Sequence, residues 1–169
     1  EQRRAAKLRC AHARVEAVPH GELMSSPGAI NARSCVCTLC SKLVATRHSI
    51  VLTKVFGGPE IHISKISKYG SHPRVLALLE APGENEDITG DPIVGRAGQK
   101  VHDGFAQVDI SCYAAANAVQ CWPGAGNRDP TTEEIKNCAP WLAMDILRLA
   151  PEVILCLGAV ARKALNYAI

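Results

Sequence analysis

Cysteine residues with the spacing of metal ligands are the most informative feature of this sequence. Cys37 and Cys40 form a CxxC pair, and Cys121 and Cys138 follow much later, on either side of a segment rich in Pro and Gly. Thiolates on one turn can face the same ion or cluster, and the fold must bring the later pair to them. The pattern predicts a metal or iron–sulfur site that joins distant parts of the chain.

Other interpretations of the cysteines remain open at this point. Zinc accepts four thiolates of this kind, and Cys35 could replace Cys37 as a ligand by slippage of the chain. Eight cysteines could also form disulfides in a secreted protein. The apolar segments described next are long enough to build a core without disulfides, which favours the metal site.

Composition and length predict one globular domain. The chain has 169 residues, 47% of them hydrophobic, and a formal net charge of +3, which permits a nucleic acid partner without requiring one. No apolar run approaches the length of a membrane span. We assign residues 1–34 to a basic N-terminal extension, whose Arg and Ala content indicates a mitochondrial protein, and residues 35–169 to the domain.

The order of patterns from residue 74 onward predicts an α/β fold. Continuous apolar runs at 74–79 and 152–157, with another strand at 113–119, are typical of a buried, mainly parallel sheet. Helices are expected at 99–106, 131–149 and 159–166. Thr131 and Glu134 form a capping box at the start of the long helix, and Pro140 should kink it. Residues 83–98 are rich in Gly, Pro and acidic residues and are interpreted as a loop.

An insertion at about residues 47–72 precedes this series. Alternating patterns at 50–56 and 60–66 predict two short strands on either side of a Gly-Gly-Pro turn. Three histidines, His48, His62 and His72, lie in or beside these strands, without the spacing of a ligand pair, and are interpreted as surface residues.

Two segments, LEAPGENEDITGDPIVGRAGQ at 79–99 and CWPGAGNRDP followed by NCAPWL, resemble the iron–sulfur uracil-DNA glycosylases. The resemblance extends from about residue 37 to 164. It implies a three-layer α/β/α fold with a central, mainly parallel sheet, and one 4Fe-4S cluster as cofactor. The cluster ligands implied for this chain are Cys37, Cys40, Cys121 and Cys138.

The resemblance also implies an active site. Enzymes of this family flip a uracil nucleotide out of DNA, hold the base in a pocket and stabilise charge as the glycosidic bond breaks. Asn117 matches the Asn that binds the base through its amide, and Glu80 and Glu86 match acidic positions that orient water or balance charge on the sugar. Without the resemblance, a strand-end Asn and two loop Glu residues would be ordinary surface or capping groups.

Several positions depart from the family pattern. Leu79 stands in place of a Gly, Ile93 replaces the aromatic residue that stacks on the base, and one residue is inserted between Cys121 and Asn127. The family continues past the last helix into a final strand and a His-Pro motif, whereas the printed chain ends at Ile169. We therefore expect an unpaired sheet edge near residues 152–157.

Two hypotheses about function follow. The departures favour a catalytically lapsed, glycosylase-like iron–sulfur protein that serves as a structural subunit of a nucleoprotein assembly with other protein chains, such as the mitochondrial ribosome. The alternative is an active uracil-DNA glycosylase of DNA repair. Both are compatible with a basic rim that contacts nucleic acid phosphates, formed by Arg96, Lys100, Arg128 and Lys136.

Overall fold

A four-stranded sheet with the order β1-β3-β2-β4 forms the centre of the computed structural model, which describes residues 37–57, 73–124 and 126–169. The strands are β1 (Lys54–Phe56), β2 (Val75–Leu79), β3 (Tyr113–Asn117) and β4 (Val153–Cys156). Strand β2 is parallel to both β3 and β4, and the short β1 is antiparallel to β3. The mainly parallel α/β sheet is thereby confirmed.

Five helices accompany the sheet in the described part of the chain. They are α1 (Ser41–Thr46), α2 (Glu84–Thr89), α3 (Arg96–Gln107), α4 (Thr132–Leu149) and α5 (Ala159–Ala168). The larger core cluster lies between the sheet and the helices α4 and α5, and joins Leu76 and Leu78 of β2 to Ile135 and Leu142 of α4. A smaller cluster on the other side contains Ala77, Ile93, Phe105 and Tyr113.

Helix α4 starts as its sequence predicts. The Thr131 hydroxyl accepts from the backbone N–H of Glu134 at 3.2 Å, and the Glu134 carboxylate accepts from the N–H of Thr131 at 2.7 Å. The helix runs through Pro140, which has no N–H to donate to the carbonyl of Lys136. The kink expected at Pro140 stays a prediction.

The interpretation of residues 83–98 as a loop was wrong. Helix α2 occupies part of this segment, and α3 begins at Arg96 rather than at residue 99. Acidic residues in the first turn favour α2 through the helix dipole, and Gly90 ends it in the left-handed conformation, with φ of 76°. A run rich in Gly and acidic residues therefore supplied a helix start and a helix stop within eight residues.

Two predictions near the sheet edges have different outcomes. The first strand of the insertion was predicted at 50–56, but only Lys54–Phe56 form it, as β1; its partner at 60–66 lies outside the described residues. Strand β4 is an edge of the described sheet, as expected, but it is not buried on both faces. Val153 and Leu155 are 54% and 43% exposed because no described element covers that face.

A buried carboxyl group in α4 should make the stability of the protein depend on pH. Asp145 is fully buried, accepts from the Thr53 hydroxyl at 2.7 Å through Oδ2, and leaves Oδ1 without a hydrogen-bond partner in the described part of the protein. Burial raises the pKa of Asp145 to about 7, against the weaker opposing effect of the Thr53 hydrogen bond. In the folded state, Asp145 therefore keeps a proton that it releases at about pH 4 in the unfolded chain.

This carboxyl group lowers stability progressively as the pH rises from about 4 to about 7, because in that window the folded state binds more protons than the unfolded state. We expect the free energy of unfolding of the wild type, minus that of Asp145→Asn, to decrease across this window. Urea denaturation at a series of pH values measures the difference. Parallel pH profiles for the two proteins would contradict the prediction.

Candidate active site and cysteine cluster

A cleft of about 430 Å³ opens at the carboxyl ends of β2 and β3. The two strands are in register, with Leu79 opposite Asn117, and the chains stay paired beyond them through the bonds from Ala118 N to Leu79 O at 2.8 Å and from Val119 N to Glu80 O at 3.1 Å. Open parallel sheets bind ligands at this edge. Glu80, Glu86 and Asn117, predicted from the sequence as site residues, all line the cleft.

Glu80 and Asn117 have the chemistry expected of a base-binding site. Asn117 is 6% exposed, so its amide can donate to and accept from a ligand away from bulk water. Burial raises the pKa of Glu80, and so do the charge and the hydrogen bond of the Asp129 carboxyl group. The sequence analysis missed Asp129, although an acidic residue two positions after Asn127 in the loop before α4 was a visible signal.

Glu86 is occupied with the backbone of its own loop. One carboxylate oxygen accepts from Gly83 N at 2.8 Å, and the other accepts from Gly95 N at 3.1 Å. These two bonds connect the start of α2 to the start of α3 across the mouth of the cleft. The geometry therefore gives Glu86 a positioning role, and its catalytic role stays a prediction.

Ile93 holds an unusual backbone conformation in the cleft wall. Its φ is 54°, which is strained for a β-branched residue, and its side chain is only 4% exposed. Gly98 makes this possible, since a Cβ at Gly98 would lie 2.1 Å from the Ile93 carbonyl oxygen. Strain of this kind collects at binding sites, and here Ile93 forms part of the cleft wall while it packs in the smaller core cluster.

The loop between β3 and α4 is held by polar contacts from both of its ends. The Trp122 indole donates to the Asn127 amide oxygen at 2.8 Å, and the Arg128 guanidinium donates to both carboxylate oxygens of Glu134 at 3.0 and 2.7 Å. The Arg128 hydrogen bonds lower the pKa of Glu134 to about 2, so this pair is ionised at neutral pH. Asn127 and Arg128 line the cleft as a result.

The four residues of the predicted basic rim have different surroundings. Arg96 and Lys100 are exposed on the first turns of α3, and Arg96 lines the cleft. Arg128 is 40% exposed and forms an ion pair with Glu134. The Lys136 ammonium group lies over the Tyr167 ring, 5.4 Å from its centre. Arg96 and Lys100 are thus the members best placed for a phosphate beside the cleft.

The cysteines Cys37, Cys40, Cys121 and Cys138 lie in one region beside the larger core cluster. Burial raises the pKa of the Cys138 thiol, and the charges of Cys121, Cys40 and Cys37 raise it further. The cysteines of the described residues are free thiols, and Cys35 lies outside the described part. A disulfide framework is not formed there.

The cysteine site does not have the spacing of a single-metal site in the described residues. No three His, Cys, Asp or Glu side chains among them are placed closely enough to surround a single metal ion. Four cysteine thiols, two of them buried, are nevertheless present in this region, and thiolates are the donors that hold iron–sulfur clusters in proteins.

Hydrogen-bond donors surround these sulfurs. The Arg47 guanidinium donates to Cys121 Sγ at 3.1 Å and to the Cys37 carbonyl oxygen at 2.7 Å, and the Asn137 amide lies 3.5 Å from Cys40 Sγ. The sequence analysis missed both residues. Arg47 follows α1 directly, so a basic residue one short helix after the CxxC pair was the available signal.

His48 is exposed, with 66% of its side chain accessible, as its interpretation as a surface residue requires. It also has a partner, because its Nδ1 lies 2.8 Å from a carboxylate oxygen of the fully buried Asp87. The backbone N–H groups of His48 and Ser49 donate to the same carboxylate. These bonds fasten the segment after α1 to helix α2. His62 and His72 lie outside the described residues.

The parallel sheet, the cleft at its carboxyl edge and the neighbouring thiols define an α/β protein with a ligand pocket beside a cysteine site. The sequence pattern of the Uracil DNA glycosylase superfamily matches residues 67–168, so the chain belongs to this superfamily. The match covers β2 to α5, the segment that forms most of the cleft.

Curated relatives sharpen the comparison. A type-4 uracil-DNA glycosylase of Archaeoglobus fulgidus is 38% identical over 91 residues, which are 53% of this chain and 45% of that protein. A type-4 uracil-DNA glycosylase of Thermotoga maritima is 40% identical over 93 residues, 52% of this chain and 46% of the relative. A type-5 enzyme of Pyrobaculum aerophilum is 37% identical over 57 residues, 34% and 24% of the two chains. The matched segment spans about half the length of the type-4 relatives.

These relatives correct one hypothesis of the sequence analysis. The interpretation as a catalytically lapsed structural subunit of a nucleoprotein assembly was wrong, because proteins 38% identical to this chain are named as uracil-DNA glycosylases. The replacements at Leu79 and Ile93 had suggested that the pocket was lost. Both residues instead line an open cleft together with Glu80 and Asn117.

The strained wall of the cleft can be tested by substitution on one helix. We expect Gly98→Ala to destabilise the protein, because the added Cβ would collide with the backbone of Ile93. Gly104→Ala on the same helix is the control, since its Cβ would meet nothing within 4 Å. The control should gain up to about 1 kcal/mol from helix propensity. Chemical denaturation measures both, and an equal gain in stability for the two variants would contradict the described contact.

Proposed function

We propose that this protein is an active uracil-DNA glycosylase that hydrolyses the bond between uracil and deoxyribose in DNA repair. The observation that carries the proposal is the placement of Glu80 and Asn117 in one cleft at the carboxyl edge of the sheet. The names of the relatives support the same activity. A target base must leave the helix to enter such a cleft.

Each side chain has a defined task in this proposal. The Asn117 amide donates to and accepts from the Watson–Crick edge of uracil, which presents both a carbonyl oxygen and an N–H. The Glu80 carboxylate orients the attacking water and balances positive charge on the sugar as the bond breaks. Ile93 lies in the cleft wall where the family has an aromatic residue that stacks on the base. An aliphatic contact gives up part of a stacking interaction worth about 1–3 kcal/mol per base.

Replacing the two polar residues tests the assignment. We expect Asn117→Ala to slow uracil release by about 10²- to 10³-fold, since it removes a charge-stabilising donor, and Glu80→Gln to slow it by about 10²- to 10⁴-fold. Release of uracil from single-stranded and mismatched uracil-containing DNA is the measurement. Asn166→Ala, at an exposed position of α5, is the matched control and should keep the wild-type rate.

Two results would contradict the proposal. Absence of uracil release by the cluster-loaded wild-type protein would exclude the activity. Unchanged rates for both Asn117→Ala and Glu80→Gln, with activity present in the wild type, would exclude the cleft as its site.

The cofactor belongs to the same proposal. Cys37, Cys40, Cys121 and Cys138 would hold one 4Fe-4S cluster, which would connect the CxxC turn to the loop and helix that follow β3. Four neighbouring thiols with N–H donors around them support this ligand set. When bound, the cluster supplies cross-linking of the fold; the base-excision chemistry remains with the side chains of the cleft.

Substitution of one ligand tests the cluster. We expect the wild type, purified without oxygen, to contain iron and sulfide in equal amounts, and Cys138→Ser to lose the cluster together with much of its stability, because metal binding supplies folding free energy. Cys112→Ser is the control at a half-buried free thiol. Iron, sulfide and zinc analysis with thermal denaturation provides the data. Stoichiometric zinc without sulfide in the wild type would refute the cluster.

Contact with DNA is proposed for the exposed side of the cleft. Arg96 and Lys100 would pair with phosphates on either side of the flipped nucleotide, with Arg128 and Lys136 farther along the rim. Mitochondrial localisation rests on the basic segment at residues 1–34, which lies outside the described part of the chain, and it stays a prediction.

A further inference from the structure

One charged side chain connects two of the four cysteines that lie far apart in sequence. Arg47 is half-buried, and its two terminal nitrogens reach Cys121 Sγ at 3.1 Å and the Cys37 carbonyl oxygen at 2.7 Å. The contact with Cys121 spans 74 positions of the chain. The guanidinium therefore sits where the two halves of the cysteine site meet.

A second donor reaches another sulfur of the site. The Asn137 amide nitrogen lies 3.5 Å from Cys40 Sγ. Two of the four sulfurs thus accept an N–H from a described side chain, and Arg47 is the charged donor of the two. Hydrogen bonds and nearby charge are the means by which a protein adjusts an iron–sulfur cluster.

The charge on Arg47 matters because the thiolates are shielded from water. Cys121 and Cys138 are 5% and 7% exposed, and four thiolates carry more negative charge than the net positive charge of the iron–sulfide core neutralises. A cation in hydrogen-bond contact with one thiolate offsets part of that excess where the dielectric constant is low. Loss of the cation should make the cluster harder to reduce and easier to lose.

We propose that Arg47 is a positioning residue for the iron–sulfur cluster: it holds Cys121 against the CxxC turn and supplies a positive charge to the liganded thiolates. This inference rests on the cluster proposed above and assigns a residue outside the ligand set. The main chain of Arg47 makes its own bond, from its N–H to Leu43 O at 2.9 Å, which closes helix α1. A substitution at Arg47 therefore changes the side chain's contacts and leaves this helix bond available.

The test compares three variants in the full chain. Arg47→Gln keeps a hydrogen-bond donor but removes the charge, whereas Arg47→Lys keeps the charge without the two-pronged geometry. Arg74→Gln is the matched control, because Arg74 forms an exposed ion pair with Glu152 at the opposite, amino-terminal edge of the parallel strands. For each protein, we would measure the rate of cluster loss to a chelator, the midpoint reduction potential, and the melting temperature of the metal-free form.

We expect Arg47→Gln to lose its cluster about 10- to 100-fold faster than the wild type, as is typical for the loss of a residue that orients a metal ligand. Its midpoint potential should be lower, because a positive charge near the sulfurs favours the reduced state. Arg47→Lys should lie between Arg47→Gln and the wild type in both measurements, and Arg74→Gln should match the wild type. A glutamine variant that never loads iron, but whose metal-free form melts like the wild type, supports the inference equally.

Other outcomes overturn it. Wild-type rates of cluster loss and an unchanged potential in Arg47→Gln would show that Arg47 is not a positioning residue. A metal-free glutamine variant destabilised as much as the loaded one would assign Arg47 a general packing role instead. If the wild type itself contains no iron and sulfide, the proposed cluster fails, and this is distinguished from a loaded wild type whose Arg47 variants behave normally.

Discussion

The in-register parallel pairing of β2 with β3 is the constraint on which the functional site depends. It places Leu79 opposite Asn117, and the two bonds beyond the strand ends keep the chains together as far as Glu80 and Val119. Parallel strands end at the same edge of a sheet, so Glu80 and Asn117 share one cleft although they are far apart in sequence. A shift of the β2–β3 register by one residue would turn the Asn117 side chain to the other face of the sheet and remove it from the cleft.

Polar groups of the cleft divide into those that face a ligand and those that shape the backbone. Both carboxylate oxygens of Glu86 accept hydrogen bonds from the backbone N–H groups of Gly83 and Gly95. Gly98 leaves room for the strained backbone of Ile93. Glu80 and Asn117 line the cleft and are available to a ligand there. The acidic residues of the segment at 79–99 are therefore partly a structural requirement, because a tight loop between two helices needs acceptors for its N–H groups.

The cysteine site and the cleft are mechanically connected through one short segment. Asn117 ends β3, and Cys121 follows only four residues later, after Val119 and Gln120 have bonded to the neighbouring chain segments. The loop that carries Asn127 and Arg128 then runs to α4, which contains Cys138. Fixing Cys121 and Cys138 at one place therefore fixes both ends of a loop that lines the cleft.

Local signals in the sequence predicted much of this architecture. The apolar run at β2 and the capping box at Thr131 and Glu134 are determined by residues within a few positions of each other, and both predictions were confirmed. The segment at 83–98 was harder to predict. Its composition indicated a loop, but the Glu86 carboxylate and the left-handed Gly90 produce helix α2.

The hypothesis of lost catalysis failed for a related reason. It treated Leu79 and Ile93 as single replacements, each judged by the contact it removed. A missing stacking ring weakens a pocket by about 1–3 kcal/mol, which is a small part of the rate enhancement of an enzyme. The polar pair Glu80 and Asn117 stays in place in the cleft, and the relatives are named as uracil-DNA glycosylases.

By itself, the sequence determined residue types, local spacing and strand and helix periodicity, because these depend on neighbours along the chain. From them came the four cysteines and the sheet, whereas the two polar residues of the cleft came from the resemblance to the iron–sulfur uracil-DNA glycosylases. Tertiary structure alone decided that Asp129 meets Glu80, that Glu86 bonds two separate backbone segments, and that Arg47 reaches Cys121. These contacts join residues far apart in sequence or across a folded loop, and no local pattern encodes the distance between them.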